Sequence, residues 1–231
     1  MSGTAISHRQ ECEVASGSTT IRIVLLRHAQ AGLHGCFCGH SNPGLSAEGR
    51  EQIPAIIESL SRVLPTAIWS SDLRRATETA EPVAKHFGLG YTTSAALREI
   101  NFGAWEELTW REVELHYPED ARAWIELFPR HRPPGGESFA ELQARAAGQL
   151  EVLTSHAKPG CTLVVTHAGF IRAAIGWVLG MPDKRISAIG QDYGAITILE
   201  RVRNHWSVAA LNLSASAFSA TMLSQTGERQ P

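Results

Sequence analysis

Apolar and polar positions alternate with two different periods along this chain, and the changeovers mark its elements. Ile21 to Leu26 is a short, nearly continuous aliphatic run, the pattern of a strand buried on both faces. It stops at Arg27-His28, so a polar pair stands where the strand runs out. Thr66 to Ser70 and Thr162 to Thr166 read the same way, and the second of these also ends in a histidine, His167, followed by Ala168-Gly169 and a helical pattern. Ile53, Ile56, Ile57 and Leu60 recur on one helical face behind a capping Ser46. Pro54 inside that pattern predicts a kink near Gln52. Leu73, Ala76, Ala80, Val83, Ala84 and Phe87 form a second helical face. Phe139, Leu142, Ala146, Leu150 and Leu153 form a third, which Ser138 and Glu141 open as a capping box. Ala195 to Leu199 and Trp206 to Leu211 read as closing strands, so the whole predicts an open α/β sheet.

Three stretches depart from this rhythm. Ala31 to Leu45 is an irregular, glycine-rich loop directly after a strand end, the usual setting of a functional loop. Glu106 to Arg132 is helical but interrupted by Trp110, Tyr117, Trp124 and Phe128, aromatics that read as packing of a small cap rather than a ligand cage. Residues 1–19 read as a flexible arm and 214–231, without periodicity, as a disordered tail. One domain over 20–213 is the consequence, with the cap as an insertion at about 104–134.

Composition narrows the function classes. A chain of 231 residues that is 43% hydrophobic suits one domain with a sizeable core. Its 21 Lys and Arg against 23 Asp and Glu leave no global field to recruit nucleic acid or an anionic membrane, so any anion site must be local. Cys12, Cys36, Cys38 and Cys161 form no disulfide framework, and Cys36-x-Cys38 lacks the second pair that zinc spacing requires. The first twenty residues have no signal-peptide pattern, and the apolar stretch from Leu163 to Gly180 is broken by Thr166, His167 and Arg172, which fits strand, turn and helix better than a membrane span. A cytoplasmic protein is expected.

Candidate chemistry gathers at the strand ends. Arg27-His28, the block Ser71-Asp-Leu-Arg-Arg-Ala-Thr-Glu-Thr-Ala80, the block Leu97-Arg-Glu-Ile-Asn-Phe-Gly-Ala-Trp105, and His167-Ala-Gly169 occur in that order. These four ordered blocks resemble the histidine phosphatase superfamily, also called phosphoglycerate mutase-like, over about Ile21 to Asn212. The resemblance implies a three-layer, mostly parallel sheet with helices on both faces and a small helical cap. It makes His28 the phosphorylated nucleophile, Arg27 and Arg75 the phosphate-gripping arginines, His167 the second histidine of the phosphate pocket, and Glu99 the proton donor. Gln30, His34 and Gly39 near or on the loop, with Ala168 and Gly169, are the candidate substrate-binding positions.

Each residue type suits its task. Arginine forks grip non-bridging phosphate oxygens with bidentate, charge-assisted bonds. A nucleophilic histidine needs one bare ring nitrogen while the other donates to a carbonyl, and two arginines oppose its protonation. A carboxyl group can protonate the departing oxygen and later deprotonate the hydrolytic water. Ala168 and Gly169 open a helix, where free N–H groups attract anions.

Ala29 stands where the family usually has glycine, and is compatible with the site if its φ is negative. Ala31 replaces a common hydroxyl, His34 an expected asparagine, and Asn42 a common aspartate. Gly35 to Leu45 resembles the loop of α-ribazole and broad-specificity phosphatases, and only about three dozen residues separate Glu99 from Gly135-Gly136, too few for the basic insertion of phosphoglycerate mutases. A metal-independent phosphomonoesterase acting on a small phosphorylated metabolite, without cofactor, nucleic acid or membrane, is the expectation. A phosphoglycerate mutase and a catalytically silent phosphate-binding module are the alternatives, and monomer or homodimer stays open. A metal-dependent hydrolase would need a close His-x-x-x-His pair with a carboxylate, which the sequence lacks. Arg111, Arg122, Arg130 and Arg132 read as solvated surface charges, and Arg74 as a surface ion pair.

Overall fold

The computed structural model describes residues 20–61, 63–155 and 160–214. The expected arm, 1–19, and the expected tail beyond Ser214 lie outside the described residues. Six strands form one sheet: β1 (Thr20–Arg27), β2 (Pro65–Ser71), β3 (Thr92–Ser94), β4 (Cys161–Thr166), β5 (Ile196–Val202) and β6 (His205–Leu213), in the order β3-β2-β4-β1-β5-β6. The pairs β3-β2, β2-β4 and β4-β1 are parallel, and β1-β5 and β5-β6 antiparallel. The sheet is thus mixed, with its parallel part on the side that carries the site.

Strand β1 is central because its side chains can be buried in both directions. Ile23, Val24, Leu25 and Leu26 are all 0% exposed. Successive side chains point to opposite faces: Ile23 and Leu25 join a core with α5 (Phe139–Ser155) and α6 (Ala168–Leu179), while Val24 and Leu26 join one with α1 (Ala47–Leu60) and α2 (Arg74–Phe87). Helices therefore cover both faces, and each fully buried aliphatic side chain contributes about 1.5–3 kcal/mol. Among the described residues no helix is long and apolar enough to cross a membrane.

Helix ends follow their sequence signals. The Ser46 side chain accepts from Gly49 N at 3.0 Å, and Ser138 with Glu141 closes a reciprocal capping box before α5. Gly88 and Gly180 end α2 and α6 with φ of 64° and 56°, the left-handed cap that glycine adopts without steric cost. Helix α1 runs through Pro54 unbroken; Pro54 is exposed, so water can serve the carbonyl that loses its N–H partner. Segment 104–134 carries two short helices, α3 (Trp110–His116) and α4 (Pro118–Glu126). Trp105 is buried with Val113 and Ala121, and Phe37, Phe102, Leu108, Trp110, Tyr117 and Trp124 pack against them. Aromatic packing is what holds this small lobe to the loop below it.

Candidate active site

Register brings the two histidines together. In the parallel β1-β4 pair Arg27 lies opposite Thr166, so the next residue of each strand, His28 and His167, leaves the same sheet edge side by side, with ring centroids 5.0 Å apart. The chain after β1 turns to α1 on one face, whereas the chain after β4 enters α6 on the other. Divergence of neighbouring strands at their carboxyl ends opens a crevice, the usual ligand position in an open α/β sheet. A cavity of about 220 Å³ lies there, and Arg27, His28, Arg75, Glu99, Arg172 and Tyr193 line it.

His28 is 4% exposed, and its Nδ1 lies 2.7 Å from the carbonyl oxygen of Ala29. A carbonyl can only accept, so Nδ1 carries the proton and Nε2 keeps its lone pair. Burial first, then the Arg75 and Arg27 charges, hold the His28 pKa well below the ordinary imidazole value, against a smaller opposing effect of the Ala29 bond. Ala29 is not among the residues with positive φ, and its N–H donates to Thr79 Oγ1 at 3.1 Å, so a side chain is tolerated where the family usually has glycine. His167 is fully buried and likewise pushed down, by burial and then by Arg75 and His28. Neither of its ring nitrogens has a hydrogen-bond partner among the described residues. Such buried, unpartnered polar atoms are rare and call for a ligand or a catalytic role.

The cations are fixed before any substrate arrives. Arg27 donates to the Gln191 carbonyl and lies over the Tyr193 ring, 3.7 Å from its centroid, while its Nε has no partner among the described residues. Arg75, in the first turn of α2, is 1% exposed and donates to the carbonyls of Ser41, Cys38 and Gly39 at 2.8, 3.2 and 2.7 Å. It therefore both charges the cavity and ties the loop. The Glu99 carboxylate accepts from the N–H of Ile100 at 2.9 Å and of Gly169 at 3.0 Å. Behind it Arg145 donates to the carbonyls of Ala96, Arg98 and Glu99 and pairs with Glu137 at 2.7 Å, which fixes the segment bearing Glu99.

The structure gathers the five candidate catalytic side chains but distributes the candidate binding positions. His34 and Ala168 line the cavity, whereas Gln30 and Gly39 do not. Gln30 donates its N–H to Gln52 and accepts from Ser46 N, which joins it to α1. Gly39 lies behind the cavity: a Cβ there would come within 2.1 Å of the Ile100 oxygen and 2.4 Å of Glu106 Oε1. The Gly169 N–H, expected to face phosphate, is instead committed to Glu99, because the start of α6 abuts that carboxylate. Asn42 accepts from Arg74 N at 2.6 Å and so caps α2, which lacks a cap from its own Leu73. Arg74 pairs with Glu78 at the surface, 2.8 Å away.

Sequence reading passed over Arg172, Tyr193, Gln191, Arg145 and Glu106. Arg172 had a signal, a lone cation in the otherwise apolar α6, five residues after His167. Glu106 accepts from the N–H groups of Gly39, His40, Ser41 and Phe102 and so locks the loop to the cap. Burial opposes its ionisation, yet the bonds from Ser41, His40 and Phe102 hold its pKa below the ordinary carboxylate value.

Two arginines and two histidines converging on one strand edge, with a carboxylate across from them, define a phosphoryl-transfer type of site. The family description "Histidine phosphatase superfamily (branch 1)" matches residues 23–214, and the chain belongs to that superfamily. The phosphoserine phosphatase 1 of Hydrogenobacter thermophilus is 29% identical over 196 residues, 84% of this chain and 93% of that protein. A glucosyl-3-phosphoglycerate phosphatase of Mycolicibacterium vanbaalenii is 34% identical over 178 residues, 73% of this chain and 79% of that protein. The crystal structure of the α-ribazole phosphatase from Shigella flexneri matches with a TM-score of 0.77 at 26% identity, covering 83% of this chain and 96% of that one.

Proposed function

We propose that the protein hydrolyses phosphomonoesters of small metabolites through a phosphohistidine on His28. One observation carries this reading: the buried His28 ring donates from Nδ1 to Ala29 O, which leaves Nε2 unprotonated between Arg27 and Arg75. The lone pair of Nε2 attacks phosphorus, the new N–P bond forms, and the P–O bond to the alcohol breaks. Protonated Glu99 delivers its proton to the departing oxygen. Arg27 and Arg75 neutralise the non-bridging oxygens throughout, and the unpartnered, neutral His167 ring offers them a hydrogen bond. Water then attacks the phosphohistidine, Glu99 takes its proton, and the N–P bond breaks to release inorganic phosphate and free His28.

The relatives named for phosphoserine, glucosyl-3-phosphoglycerate and α-ribazole phosphatase activity support a small phosphorylated metabolite as substrate. Arg111, Arg122, Arg130 and Arg132 are exposed and outside the cavity lining, so they offer no second anion site of the kind a mutase needs. The reading includes a cytoplasmic setting, supported by the free thiols of Cys36, Cys38 and Cys161. It involves no nucleic acid or membrane.

The test is hydrolysis of para-nitrophenyl phosphate in chelator, with trapping of the phosphoenzyme in alkaline detergent. His28→Ala should abolish both turnover and the acid-labile, alkali-stable label. Glu99→Gln should retain the label with para-nitrophenyl phosphate, whose phenolate departs without a proton, while losing about 10²–10⁴-fold in kcat on alkyl esters. A label that survives His28→Ala would refute the assignment of the nucleophile.

A further inference from the structure

A second cavity, of about 240 Å³, adjoins the first. The two share Glu99, Phe102 and Arg172, so the carboxylate assigned to the leaving oxygen stands at the neck between them. The chemistry changes across that neck. On the far side Ile100, Trp124, Phe128, Phe139 and Ile186 supply the walls, and Glu99 and Arg172 are the only charged residues of the lining among the described residues. The rings form a chain from one lobe to the other, with centroids 6.4 Å apart for Phe102–Trp124, 5.8 Å for Trp124–Phe128 and 5.2 Å for Phe128–Phe139. Each neighbouring pair is in contact range, and the wall they make joins the cap cluster to the main core.

We propose that this annex seats the alcohol half of the substrate, and that the alcohol carries an apolar ring. The inference rests on the phosphatase reading and deepens it. With phosphorus held at His28 Nε2 and the leaving oxygen at Glu99, the carbon attached to that oxygen points through the neck, and the space it enters has aromatic walls. An amino-acid alcohol would place an ammonium and a carboxylate there, and among the described residues no acidic group beyond Glu99 at the neck answers the ammonium. Arg172 leaves room for one polar acceptor at the neck, since its Nε is already committed to the Ile189 carbonyl at 2.8 Å while none of its atoms pairs with a carboxylate of the described residues. A ring-bearing primary alcohol with a hydroxyl or ether near the reacting carbon fits this lining.

The experiment compares kcat/KM of the unmodified chain on ethyl phosphate, benzyl phosphate and O-phosphoserine at one pH and salt. Ethyl and benzyl alkoxides are of similar basicity, so the comparison reads binding of the ring rather than ease of departure. Benzyl phosphate should exceed ethyl phosphate by about tenfold or more, the effect of burying an apolar group of that size. O-Phosphoserine should do no better than ethyl phosphate. Phe128→Ser should lower the benzyl-to-ethyl ratio toward unity, and the series on the unmodified chain decides the matter whether or not that variant folds. Equal efficiency on ethyl and benzyl phosphate, or a preference for phosphoserine, would overturn the annex while leaving the phosphatase. No hydrolysis of any ester and no acid-labile phosphoenzyme would overturn both.

Discussion

His28 and His167 are neutral in the folded protein because two cations and complete burial disfavour a third and fourth positive charge at the same place. In the unfolded chain both take up a proton near pH 6.5. Below that pH the unfolded state therefore binds more protons than the folded one, so stability is fully present above about pH 6.5 and is lost as pH falls below it. Each histidine contributes a slope of up to about 1.4 kcal/mol per pH unit in that window. Urea midpoints measured at pH 7.5, 6.5 and 5.5 should fall in the acidic pair, and His28→Ala should reduce that fall by about half. A profile flat to pH 5.5 would contradict the neutral pair. These two residues were legible in the sequence because each follows directly on a strand. Arg145 was not, since its value lies in carbonyls more than forty positions away, and no local period records such a contact.

At the scale of elements, the 31–45 loop is a structure in its own right rather than a flexible lid. Arg75 holds three of its carbonyls, Glu106 three of its N–H groups, and Glu78 the N–H of Leu45. Gly39 is the position where these anchors close in, and Gly39→Ala should cost about 2–4 kcal/mol, the upper range for a single substitution, with loss of kcat/KM on every ester. Gly148 gives the contrasting case. It lies exposed in α5, and a Cβ added there would meet no atom within 4 Å, so Gly148→Ala should stabilise by about 0.5–1 kcal/mol without touching activity. Urea unfolding of the two variants checks both signs. The main helices and strands were readable because their periods extend over many residues. Strand β3 was not: three residues of Thr-Thr-Ser, largely exposed, carry no apolar run, and only pairing with β2 makes them a strand.

For the molecule as a whole, net charge and site charge point in opposite directions. The chain carries a formal charge of −2, yet Arg27, Arg75 and Arg172 line one crevice with a single carboxylate. Anion capture is therefore short-ranged and built into the native state, and the unfolded chain has no counterpart to it. Inorganic phosphate should accordingly stabilise the fold, by about 2.7 kcal/mol at a hundred times its Kd, or roughly 5–10 °C in Tm. Thermal scans with and without phosphate read the shift, and Arg75→Met should remove most of it. The anchoring of the loop also divides it into parts of unequal freedom. From Cys38 to Leu45 the chain is fastened to α2 and the cap, Phe37 exchanges backbone hydrogen bonds with Leu108 and Glu107, and the Gly32 N–H donates to the Gly44 carbonyl, whereas Leu33 to Cys36, between Gly32 and Phe37, line the cavity. A library of variants restricted to Leu33, His34 and Cys36 would thus sample new selectivities on an intact chassis, while one that spread into the neighbouring positions would mostly return unfolded clones.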